Sequence, residues 1–124
     1  MVVIENKSNA AVDQENQLYR YWHQEVFRKY PFLDYSDPEV KRCFRLVYLP
    51  LHLTQKPSSG SLRRPSDWQQ WEEVSEYPTT PLNVDQLSFS RDITEWLKET
   101  SEKIHQSNGR LKTFLQLYEE SWHR

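Results

Sequence analysis

The sequence predicts a mainly α fold, a single small domain over residues 1–124 with about four helices, a long C-terminal helix and two proline-marked loops. Two observations predict it. Apolar residues recur at spacings of three and four in several stretches, which is the stripe of an amphipathic helix. Prolines stand where that spacing stops, and capping residues stand where it starts. A length of 124 residues suits one domain.

Residues 1–11 open with Met1-Val2-Val3-Ile4 and then turn polar, and read as a loosely ordered N-terminus or a short edge strand. From Val12 to Lys29, Leu18, Tyr19, Trp22 and Val26 mark a first helix, which Pro31 ends because the residue before a proline leaves the α region. The second helix, about 38–49, has the clearest local signal. Asp37 caps it, Pro38 suits its first position, Glu39 favours the positive end of its dipole, and Val40, Cys43, Phe44 and Val47 form its stripe. On that stripe Cys43 is expected to be buried and inert.

Pro50 breaks the pattern, Leu49, Leu51 and Leu53 alternate as in a short extended piece, and residues 54–65 form a turn-rich connector. A short third helix carrying Trp68 and Trp71 follows, with Ser66 and Gln69 at capping-box spacing. Pro78 and Pro81 flank an irregular stretch lasting to Phe89. Beyond Ser90 the apolar stripe keeps its phase past Asn108-Gly109, which favours one continuous helix to the end, with a helical hairpin as the alternative.

Charge is segregated more than the net value of −2 shows. Residues 1–39 carry −3, 40–66 carry +6, 67–102 carry −7 and 103–124 carry +2. No acidic residue lies between Val40 and Ser66, where Lys41, Arg42, Arg45, Lys56, Arg63 and Arg64 stand. Such a block either pairs with the acidic segment of the same molecule or binds an anion or an acidic partner. Arg63-Arg64-Pro65-Ser66 has the Arg-Arg-x-Ser form that basophilic kinases read, although Ser66 already has a role as a helix cap.

Several chemistries lack their pattern. Two glycines, Gly60 and Gly109, cannot build a phosphate-cradling loop or a dinucleotide fingerprint. The four histidines are at least 18 residues apart and there is one cysteine, so no zinc spacing exists, and neither a metal nor an organic cofactor is expected. Eighteen carboxylates always allow some acid–base pair in space, so their number alone does not indicate a hydrolase. No stretch is apolar enough to span a bilayer, and a cytoplasmic protein is expected.

By exclusion, the sequence reads as a non-catalytic interaction protein: an adaptor, an assembly factor or an accessory subunit. Its partner would be another protein, met through an acidic surface, or a second copy of the chain. Binding residues are expected at Lys41, Arg42, Arg45, Arg63, Arg64, Trp68, Trp71, Phe114, Tyr118 and Trp122. The alternative reading is nucleic-acid or polyanion binding through residues 41–64.

Overall fold

A computed structural model describes residues 1–7, 12–66, 73–104 and 108–123. At its centre are three parallel strands in the order β1-β2-β3: β1 (Val2–Lys7), β2 (Arg45–Pro50) and β3 (Val84–Gln86). Four α-helices accompany them: α1 (Gln17–Trp22), α2 (Pro38–Cys43), α3 (Thr94–Lys103) and α4 (Gly109–Ser121). The fold is therefore α/β, which corrects the mainly α expectation.

The correction turns on β2. Asp37 does cap α2 by accepting from the Glu39 amide at 2.9 Å, and Pro38 is its first residue. The helix ends at Cys43, however, and not near residue 49. Leu46 to Pro50 are all buried, because a parallel strand covered on both faces is apolar at every position and shows no alternation. Val40, Cys43, Phe44 and Val47 thus share a helical spacing without sharing a helix. Cys43 is exposed at the end of α2, with Sγ 3.4 Å from the Glu39 carbonyl, so its expected burial is also corrected.

At the start of the chain, residues 2–7 pair with β2 over its whole length, from Val2 opposite Arg45 to Lys7 opposite Pro50. β3 continues the rows: Leu46 opposite Val84, Val47 opposite Asp85, Tyr48 opposite Gln86. Side chains alternate between faces along a strand, so Val3, Glu5 and Lys7 share one face with Leu46, Tyr48, Val84 and Gln86.

That face carries the main core. Trp22 of α1 is fully buried, with ring centroids 5.2 Å from Tyr19, 5.5 Å from Phe27, 5.6 Å from Tyr35 and 5.7 Å from Tyr77. In a chain poor in aliphatic residues, aromatics supply this volume and their edge-to-face contacts. After Trp22 the helix widens into a π-helical turn, His23–Phe27, and the chain leaves helical structure before Pro31.

The C-terminal third is a hairpin and not one long helix. α3 stops at Lys103 with Ile104 extended, and α4 starts at Gly109. The return is fixed at its far end, where Trp122 Nε1 donates to Thr94 Oγ1 at 3.1 Å and the Trp122 ring lies edge-on to Phe89 at 5.4 Å. Two stripes that face each other across a hairpin are both apolar, whatever their relative phase. The expected helix around Trp68 and Trp71 lies outside the described residues. None of the described helices is long and apolar enough to cross a membrane.

Candidate active site

A strand places residues two apart on one face, and β1 does this with Glu5 and Lys7. Both are buried, 8% and 4% exposed, where charged groups are rare unless paired. They are paired with each other, Lys7 Nζ lying 3.1 Å from Glu5 Oε1. Lys7 also donates to the Val12 carbonyl at 3.3 Å and to Gln17 Oε1 at 3.1 Å, and lies 3.8 Å from Asp13 Oδ1.

Gln17, in the first turn of α1, closes the arrangement. Its amide nitrogen donates to Glu5 Oε1 at 3.1 Å while its oxygen accepts from Lys7, so one planar amide bridges both members of the ion pair. One helical turn later the Tyr21 hydroxyl accepts from the same nitrogen at 3.1 Å. Asn16, just before the helix, takes a left-handed conformation (φ 61°) that asparagine tolerates, and its amide donates to the Gly60 carbonyl at 2.9 Å.

Asp13 is held from two sides. Tyr48 of β2, opposite Glu5 in the sheet, donates its hydroxyl to Oδ1 at 3.0 Å, and the Ser58 amide donates to Oδ2 at 2.7 Å. Burial, reinforced by the hydrogen bond to Asp13 and by its charge, pushes the Tyr48 phenol up to about 12. Tyr48 is therefore a neutral donor at any physiological pH. The result is a lysine at the carboxyl end of a parallel strand, bordered by two carboxylates and clamped by an amide.

Hard divalent cations take several oxygen ligands. Both Asp13 oxygens already accept hydrogen bonds, and no group of three or more His, Cys, Asp or Glu side chains stands together among the described residues. On their own these residues do not fit a metal cage.

The residues expected from sequence to bind a partner lie elsewhere and do not form one site. Lys41, Arg42 and Arg45 line a groove at the other end of the sheet, together with Asp85. Arg42 pairs there with Glu39, and Arg45 with Asp85 at 2.7 Å. Arg63 and Arg64 follow a 3₁₀ turn, Ser59–Leu62, on the Glu5 side of the sheet. Phe114 and Tyr118 are exposed on α4, Trp122 packs within the hairpin, and Trp68 and Trp71 lie outside the described residues. Sequence reasoning missed Glu5, Lys7, Asp13, Gln17 and Tyr48. The signal was the spacing of Glu5 and Lys7, two residues apart and so on one face of the short edge strand that the sequence allowed there.

The family model described as the PD-(D/E)XK nuclease superfamily matches residues 1–120. Glu5-Asn6-Lys7 reads as the (D/E)-X-K of that description, whereas the chain contains no Pro-Asp pair. No curated protein and no solved structure matches. The match to a superfamily of nucleases overturns the reading of a non-catalytic adaptor, assembly factor or accessory subunit, and with it the expectation that the protein is not an enzyme.

Proposed function

We propose a catalytic role on one premise: the chain belongs to the PD-(D/E)XK nuclease superfamily. The reaction is hydrolysis of a phosphodiester bond in nucleic acid, with Glu5 and Lys7 as the reactive pair. One observation carries this reading: the Glu-X-Lys triplet lies on a strand, with both side chains buried on one face and bridged by Gln17.

The chemistry suits the pair. Water gives up a proton and bonds to phosphorus, the bond to the leaving sugar oxygen breaks, that oxygen takes up a proton from solvent, and negative charge grows on the phosphoryl oxygens in between. A lysine ammonium held in place beforehand stabilises that charge without reorganising, and does so more strongly where water is excluded. Glu5 is the carboxylate within reach to orient the attacking water. Gln17 and Asp13 position Lys7 and are not catalytic residues themselves.

The purified protein, given end-labelled DNA and RNA in magnesium-containing buffer, should cut them. Lys7→Ala and Glu5→Gln should each lower the cleavage rate by about 10²–10³, the scale for removing one group that stabilises the transition state. Circular dichroism should remain that of the wild type. Wild-type protein that cuts neither nucleic acid, or variants that cut at the wild-type rate, would overturn the proposal.

A further inference from the structure

Two strands across the sheet from the Glu5–Lys7 pair, a groove of about 660 Å³ is lined by none of the residues of that pair's cluster. Its polar lining comes from Lys56, Ser59, Arg63, Thr79, Thr80, Asn83 and Gln86, and among the described residues no carboxylate lines it. Gln86 stands in the same sheet row as Tyr48 and Glu5, two strands from Glu5, which is roughly 10 Å at the spacing of neighbouring strands. All three lie on one face of the sheet.

The groove is tied to the site by hydrogen bonds. Asn16, next to Gln17, takes the Gly60 carbonyl with its backbone and donates its side chain to the Arg63 carbonyl at 2.7 Å. Asp13, beside Lys7, holds the Ser58 amide at 2.7 Å. Across the groove, Arg64 donates its amide to the Pro78 carbonyl and Thr80 to the Leu62 carbonyl, both at 2.9 Å. Lys56 and Arg63 are exposed on this framework, and neither forms an ion pair among the described residues.

We propose that this groove binds the sugar–phosphate backbone of the substrate strand next to the bond being cut, with Lys56 and Arg63 each neutralising one phosphate. The inference rests on the nuclease reading and adds to it where the strand lies. Neutral donors at Thr79, Asn83 and Gln86 suit phosphate oxygens. Among the described residues the lining contains no aromatic side chain on which a base could stack, and its polar groups suit backbone contacts. The adjoining groove that carries Lys41, Arg42 and Arg45 makes the contrast, since Glu39 and Asp85 already engage Arg42 and Arg45 there.

The test is fluorescence anisotropy with a labelled oligonucleotide, in a Glu5→Gln background in which cutting is slowed about 10²–10³-fold. Replacing Lys56 and Arg63 together by Gln should weaken binding about ten-fold at moderate salt and lower the slope of log affinity against log salt by about one per cation removed. Arg63→Lys should keep most of the slope. Lys41→Gln with Arg42→Gln should leave it unchanged. In the wild-type background the Lys56/Arg63 variant should raise KM and leave kcat near its wild-type value. If that variant binds with the wild-type slope while Glu5→Gln lowers the cleavage rate as expected, the groove assignment is wrong and the nuclease reading stands. If binding depends on Lys56 and Arg63 but wild-type protein never cuts, the groove binds nucleic acid and the nuclease reading fails.

Discussion

Two Glu-X-Lys triplets occur in this chain, Glu5-Asn6-Lys7 and Glu39-Val40-Lys41, and only the first makes a site. Their letters are alike, but their secondary structure differs. On β1 a separation of two residues puts both side chains on one face, and the sheet and α1 then bury them together. On α2 the same separation turns the side chains about 200° apart round the axis. Glu39 there reaches Arg42, three residues on, and both of those side chains are about three-quarters exposed. A short motif is therefore a statement about chemistry only once its period is known.

The comparison predicts its largest difference in catalysis. Substituting Glu5 or Lys7 should cost the cleavage rate about 10²–10³, whereas Glu39→Gln and Lys41→Gln should leave it within about two-fold. Loss of activity on changing Lys41 would break the distinction.

A smaller effect is expected one residue removed from the chemistry. Gln17→Glu replaces the bridging amide with a carboxylate that can still accept from Lys7 but can no longer donate to Glu5. We expect about a ten-fold lower rate, the cost of slightly misplacing a reacting group. The fall should lie in kcat rather than KM, with a shifted pH profile, and Gln17→Asn should not rescue it because its shorter side chain cannot span both partners. A purely structural Gln17 would lower the melting temperature without moving the profile.

Tyr48 gives the next test, in alkali. Its folded-state value of about 12 lies above the ordinary value of 10.0, mainly because of burial. The protonated phenol is thus favoured by folding. Its contribution to stability is fully present below pH 10 and falls away as pH rises from there towards 12. Tyr48→Phe should lose stability at neutral pH, because Asp13 loses a donor, and should show a flatter decline than wild type across that alkaline window. Tyr35 is also pushed up to about 12 by burial, so the decline should be reduced and not abolished. Denaturant titrations at a series of pH values would measure it, and parallel declines in the two proteins would contradict the assignment.

What could be read from the sequence separates by the range of the forces involved. The start of α2 was legible because Asp37, Pro38 and Glu39 act on their own neighbours. The α1 stripe was legible because Leu18, Tyr19, Trp22 and Val26 repeat at its period. β2 was not, since a strand buried on both faces has no alternation to read, and β3 is three residues long and exists only because β2 is beside it. The phase match across Asn108-Gly109 was real but uninformative, because the same apolar stripes serve a hairpin that Trp122 closes onto Thr94. Of the site, the strand period of Glu5 and Lys7 was visible, while Asp13, Gln17 and Tyr48 join it only through the fold. The basic block read as one feature is divided between two adjoining grooves, Lys41, Arg42 and Arg45 lining one and Lys56 and Arg63 the other, with Asn83 shared by both.

The smallest expected effect returns to α2. Its last residue, Cys43, is exposed, and its thiol donates to the Glu39 carbonyl at 3.4 Å. A thiol reagent should label it in the native protein at a rate close to that in denaturant, because no unfolding is needed to reach it. Glu39→Gln breaks the ion pair with Arg42 but leaves the helix cap at Asp37 untouched, so it should change stability by less than about 0.5 kcal/mol. The labelling rate should not move either. Were Glu39→Gln to slow labelling or lower stability by more than about 1 kcal/mol, the cost of losing a cap, α2 would be held by its own ion pair and not by Asp37 and its contacts with the core. The helical triplet would then have a structural role comparable to that of its counterpart on β1, and exposure alone would not distinguish the two.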